Sequence, residues 1–164
     1  MNEANEAFEN INKKVFASLM QLAARIKEEL IKEAKAVIDE KDVRATGDLR
    51  KAVDGEVTQE TDSVIIEIFD SMFYSAYVHQ GTKPHFPPLD PIARWVVRKG
   101  LSSGAIKRRG SLSKQSHERE IRSIAFLIAR KIARKGTEGV KFFELALKQA
   151  EPNINSWIKN FGTT

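Results

Sequence analysis

No cysteine occurs in this sequence, which excludes a disulfide, a thiolate metal ligand and a cysteine nucleophile. A reducing cytoplasm fits that composition. Long apolar runs are missing too: no stretch of about 18 apolar residues is present to span a bilayer. Residues 1–9 are acidic and polar, where a secretory signal would be basic and then apolar. We therefore expect neither export nor membrane insertion. Histidine is scarce, and His79, His85 and His117 are too scattered for H-E-x-x-H or another local metal signature. His85, in a loop, reads as a solvated or interface residue. The glycine-rich stretch 104–111, GAIKRRGS, lacks the G-K-[ST] of a phosphate loop, and G-x-S-x-G is absent. Glu118 and Glu120, two apart on a predicted helix, point to different sides. The expectation is a protein that is not an enzyme and takes no cofactor or metal.

What is present describes a folded, charged protein. A hydrophobic share of 41% beside 30% charged residues lies well away from disordered compositions, and 164 residues predict a single domain spanning 1–164. The net charge of +5 is unevenly spread. Residues 1–82 carry 10 Lys/Arg against 16 Asp/Glu, a balance of −6, and residues 83–164 carry 17 against 6, a balance of +11. A basic half can bind a polyanion. The same asymmetry lets the acidic part of one subunit face the basic part of the next.

Hydrophobic spacing predicts one long helix over 3–39. Ala4, Phe8, Ile11, Val15, Leu19, Leu22, Ile26, Leu30, Ala34 and Ile38 recur at steps of three or four, the helical period. No glycine or proline interrupts that run. The helix would extend roughly 55 Å, more than so small a domain needs, so its first turns are expected to project, with Phe16 and Met20 off the stripe as contacts for a neighbour. Gly47 then breaks the chain; Thr46 or Asp48 caps a short turn that carries Leu49 and Val53 inward, leaving Arg50 free to meet a carboxylate. Residues 46–80 read as this turn plus antiparallel strands at 55–60, 62–70 (DSVIIEIFD) and 74–79 (YSAYVH), joined by connections too short for parallel crossovers.

Four prolines within residues 81–91, GTKPHFPPLDP, exclude a helix interior or a central strand. Gly81 is expected to end an edge strand at positive φ. Thr82, Lys83, Pro84, His85, Phe86, Pro87, Pro88 and Leu89 would then form a stiff arm that loses little entropy on docking, a candidate subunit interface. Asp90 is the expected N-cap of a helix with Pro91 at its first position and Ile92, Trp95 and Val96 inward. Residues 101–116 read as a mobile basic loop. Lys107, Arg108, Arg109 and Lys114, with Arg98 and Lys99 nearby, are the candidate polyanion contact, and a nucleic-acid-binding protein using 98–114 is the alternative reading. C-terminal helices are expected over 117–160, with Ile121, Ile124, Ala125, Ile128 and Ile132 inward, a stop at Gly136, and Phe142, Phe143, Leu145, Ala146 and Leu147 packing beyond it.

Three patterns stand in fixed order: Thr46-Gly47-Asp48-Leu49-Arg50; residues 74–82, YSAYVHQGT, followed by the proline segment; and Ile132-Ala133-Arg134-Lys135-Gly136 leading into Phe142-Phe143 and Ala146. Together they resemble the tail-completion, or neck, proteins of long-tailed bacteriophages over about residues 43–150. The chain departs in having Gln80 where an acidic residue is common, and in its basic insertion at 101–116. The resemblance implies an α+β subunit with a small antiparallel sheet of three to four strands, flanked by the long first helix and the C-terminal helices. It also implies a homo-oligomeric ring, commonly hexameric, between connector and tail tube, through which DNA passes without sequence-specific contact. Its place would be the virion neck, and the host cytoplasm during assembly.

Overall fold

With no glycine or proline to interrupt it, the first helix, α1, runs unbroken over Glu3–Glu40. It ends where Asp42 takes a positive φ of 49°. The computed structural model of the chain describes residues 3–43, 47–101 and 114–161. Their contacts gather into two compact units: Met1–Asp42 with Leu49–Met72 and Phe142–Thr164, and Val43–Asp48 with Phe73–Lys141.

In the first unit α1 is joined by α2 (Asp48–Ala52), β1 (Val53–Gln59), β2 (Val64–Asp70) and α6 (Phe142–Lys159). β1 and β2 form an antiparallel hairpin in which Val53 faces Asp70, Gly55 faces Ile68 and Gln59 faces Val64. Its period-2 pattern turns Val53, Gly55 and Val57 to one face, which packs on α1. A side chain at Gly55 would place its Cβ 2.7 Å from Ile68 Cδ1, 2.8 Å from the Glu67 carbonyl oxygen and 3.2 Å from Lys27 Cγ, so glycine leaves room for the cross-strand neighbour and for the Lys27 stem of α1. Ala34, Val37 and Ile38 of α1, Leu49, Val53, and Phe142, Ala146 and Ala150 of α6 form the buried core. Leu147 and Ile158, by contrast, stay more than half exposed.

α6 contains Pro152, which removes one helix hydrogen bond and would kink an isolated helix. Two contacts to α1 follow that weak point. Asn153 Nδ2 donates to Glu29 Oε1 at 2.8 Å, and the Arg25 guanidinium lies 4.0 Å over the Trp157 ring. Since the later α6 residue meets the earlier α1 residue, the two helices are antiparallel. The apolar stripe of α1 is buried only in its C-terminal half. Phe8, Ile11 and Val15 are 65%, 58% and 46% exposed, whereas Phe16 and Met20, expected as the outward contacts, are half-buried.

The second unit holds α3 (Ser75–Gln80), β3 (Gly81–Thr82), α4 (Leu89–Arg98), α5 (Lys114–Lys135) and β4 (Thr137–Glu138). α4 packs on α5, burying Val96 on one side and Ala125 and Ala129 on the other; the two alanines, one turn apart, admit a close approach. Ile121, Ile124, Ile128 and Ile132 are half-buried beside them.

The α+β class and the flanking helices stand as the sequence predicts. Four strands occur among the described residues, but as two separate two-stranded ladders, not one meander. The third expected strand, 74–79, is the helix α3. Asp70 Oδ1 accepts the Met72 amide at 3.0 Å, turning the chain away before it can return along β2, and without a partner strand the β propensity of Tyr77 and Val78 is not realised. α4 starts at Leu89, so Asp90 is a first-turn acid at the positive helix end and not the N-cap. Pro91 is tolerated there because first-turn amides have no intrahelical partner. Of the expected loop 101–116, residues 102–113 lie outside the described residues, and the last three belong to α5.

Candidate assembly surface

The proline arm begins where α3 ends. Gly81 adopts φ 82° and its amide reaches back to Tyr77 O, so the residue expected to finish a strand finishes a helix and starts β3. Gly81 pairs with Glu138, and Thr82 with Thr137. On the other side of this short ladder α5 is stopped by Gly136, at φ 70°, whose amide donates to Ile132 O at 2.8 Å. A Cβ on Gly136 would run into the Thr82 carbonyl, and one on Gly81 into the Thr137 carbonyl. Each turn therefore requires glycine twice, for its left-handed backbone and for the space its neighbour occupies. The Thr82 and Thr137 hydroxyls lie 3.0 Å apart, and the Val140 and Lys141 amides donate to Val78 O and His79 O at 2.9 Å.

The near end of the arm is thus bolted to the end of α5, and its far end enters α4 at the half-buried Leu89. Between them Pro84, Pro87 and Pro88 restrict the backbone. His85 Nδ1 donates to Lys83 O at 2.9 Å, folding the ring onto the arm itself. Phe86 is 55% exposed, with its ring centroid 6.2 Å from that of Phe126 on α5. Behind the arm lies a cleft of about 820 Å³, lined by Tyr74, Tyr77, Val78, Pro84, Ile132 and Val140 among others. A preordered arm carrying an exposed aromatic beside an apolar cleft can bury surface against a partner at low entropic cost.

Of the eight predicted interface residues, Thr82 to Leu89, Lys83, Pro84, His85, Phe86 and Pro88 are exposed, and Thr82, Pro87 and Leu89 are half-buried. The predicted turn residues divide. Gly81 and Gly136 lie on the two sides of the short β3–β4 ladder, each packed against the opposite strand's backbone, and Gly47 has φ 82°. Leu49 is buried, and Arg50 Nε meets Asp39 Oδ2 at 2.9 Å, pinning α2 to the end of α1 within the first unit. Lys107, Arg108 and Arg109 lie outside the described residues, and Lys114 is the first residue of α5.

Sequence reasoning misses Tyr77, exposed in the cleft wall, and Phe126 and Leu127 on α5. With 74–79 read as a strand, Tyr77 falls in a sheet. The signal that could have found it is Gly81 directly after residues 75–80, the usual helix-ending position for glycine. Also missed is the basic end of α5, where Arg130, Lys131, Arg134 and Lys135 are all exposed and line a shallow depression with Leu127. Among the described residues no three His, Asp or Glu side chains gather as a metal site would require, and no helix is long and apolar enough to cross a membrane. No family model, curated protein or solved structure matches this chain.

Proposed function

We propose that the chain is a structural subunit of the head-to-tail junction of a long-tailed bacteriophage, working without catalysis by assembling into a ring between connector and tail tube. The observation that carries this reading is the arm: anchored by the interlocked Gly81 and Gly136 turns at one end and by α4 at the other, it holds Phe86 out to solvent. A core-building loop would bury its one large aromatic. The three motifs that resemble neck proteins support the same reading, since two of them supply the turns that fix the arm. In this proposal the ring is a homo-oligomer, six copies by the resemblance, and DNA crosses it without being read. Native mass measurement with and without connector and tail-tube proteins tests it. A ring is expected, and a chain that stays monomeric in every mixture overturns it.

The second reading, a nucleic-acid-binding protein, is favoured by one observation. Residues 121–137 contain no acid but five Lys/Arg, four of them exposed on the last two turns of α5. Such a face would contact phosphates with little sequence preference. A monomer that retards duplex DNA in a salt-dependent way would favour it over the ring.

A further inference from the structure

The outer face of the β1–β2 hairpin is uncovered, and the strand register fixes what it carries. Asp54 faces Phe69, Glu56 faces Glu67 and Thr58 faces Ile65 across the ladder, and all six are exposed. The alternate residues Val53, Gly55 and Val57 turn the other way, toward α1. Cross-strand partners share a face, so three carboxylates surround two apolar side chains, Ile65 and Phe69, 38% and 40% exposed. Glu56 and Glu67, directly opposite each other, weaken the pairing that holds them. Residues 53–70 supply six acids and no Lys or Arg, and among the described residues none of the three face acids forms an ion pair.

A surface of the inverse kind runs along α5. Arg122, Phe126, Arg130 and Arg134 follow at four-residue steps, with Leu127 and Lys131 beside them, which sets them on one side of the helix. All six are exposed. Residues 121–137 contain no acid, and among the described residues these four cations have no ion-pair partner. Each face thus holds two apolar side chains framed by charge of a single sign. The spacings also match: Asp54 and Glu56, two residues apart on a strand, are separated by about 7 Å, and Arg130 and Arg134, one turn apart, by about 6 Å. The α5 face is continuous with the proline arm through Phe126, whose ring centroid lies 6.2 Å from that of Phe86.

We infer that the α5 face of one copy of this chain docks on the outer hairpin face of the next. Phe126 and Leu127 lie against Ile65 and Phe69, and Arg130 and Arg134 meet the carboxylates of Asp54, Glu56 and Glu67. A nucleic-acid backbone would meet the arginines but leave Phe126 and Leu127 without an apolar counterpart. The inference rests on the ring reading and names what the arm side of a subunit meets. Each copy offers one face of each kind, the condition for head-to-tail closure.

Charge exchange in the full chain tests it. Glu56→Lys/Glu67→Lys and Arg130→Glu/Arg134→Glu each replace one neighbouring like-charge pair by another at exposed positions, so the monomer's melting transition should hold in both. Alone, each variant sets like charges against each other across the interface, and its concentration for half-assembly should rise about tenfold or more. Mixed in equal amounts the two are complementary, and assembly should return close to the wild-type concentration in rings that alternate the variants. Because the chain has no native cysteine, Glu67→Cys and Arg130→Cys variants mixed with a short thiol cross-linker should give a mixed product exceeding either self-product. If the wild type forms rings and both charge variants assemble as it does, the docking is wrong and the ring reading survives. Charge variants that fail alone and also fail together, or cysteine variants that link mainly to themselves, overturn the docking as well. If Arg130→Glu/Arg134→Glu loses duplex-DNA retardation with assembly unaltered, the α5 face belongs to nucleic acid instead. A mixed product in an assembly of only two chains keeps the docking and removes the ring, and a wild type that stays monomeric in every mixture removes both.

Discussion

Gly136 and Phe86 lie in the same surface, yet substitution should affect them in opposite ways. At Gly136→Ala the left-handed backbone costs about 1–2 kcal/mol, and the new Cβ must also displace the Thr82 carbonyl. The expected destabilisation exceeds about 2 kcal/mol, and Gly81→Ala should match it because its Cβ would meet the Thr137 carbonyl from an equally left-handed backbone; denaturant midpoints check both. Phe86→Ala removes a ring that is already more than half in water. Its melting transition, taken where the wild type is monomeric, should move by about 1 kcal/mol or less, while under the proposed ring function assembly falls. Phe142→Ala is the control: that ring is fully buried, so about 3–5 kcal/mol of stability should disappear. A Phe86→Ala protein that melts as early as Phe142→Ala would place the arm in the core.

At the scale of elements, the pairing of α1 with α6 carries a titratable group. The Asn153 side-chain amide bonded to the Glu29 carboxylate is the main cause holding the Glu29 pKa below its ordinary 4.5, with the Lys32 ammonium adding to it and partial burial opposing. A carboxyl whose folded pKa lies below its unfolded value stabilises the fold above the unfolded value, and the contribution is lost as pH falls through the folded one. Stability should therefore decline as pH drops through and below about 4.5, and Asn153→Leu should flatten that part of the profile. Equal pH slopes for wild type and variant would show that Asn153 does not set the titration. The end of α5 makes a second element-level prediction. Replacing Arg130, Lys131, Arg134 and Lys135 with Gln should leave stability nearly unchanged, since all four are exposed. Under the nucleic-acid reading the salt slope of DNA binding should become shallower by about 0.9 for each phosphate no longer neutralised.

For the whole molecule the relevant quantity is the split of charge, −6 over residues 1–82 and +11 over residues 83–164. If acidic and basic surfaces of successive copies meet, assembly must weaken with salt, because exposed pairs are screened beyond about 8 Å at physiological ionic strength. Native mass spectra or sedimentation across a salt series should then show the proposed ring dissociating as salt rises. An assembly indifferent to salt would leave apolar burial at the arm as its cause.

Some of this was legible in the chain alone, because it depends on neighbours in sequence. An uninterrupted 3.6-residue period gives α1 its extent to within a residue, alternating β-branched residues give β1 and β2, and four clustered prolines give an arm that no sheet or helix interior can accept. Other features depended on partners far along the chain. Residues 74–79 carry strand-forming side chains, yet a strand exists only where another edge accepts its hydrogen bonds; with none offered, Gly81 closed the segment as a helix. The stripe of α1 is apolar along its whole length, and no local signal distinguishes Ile11, 58% exposed, from Ile38, fully buried. That difference arises where α6 ends, so burial was decided by tertiary packing while the helix itself was decided by local sequence.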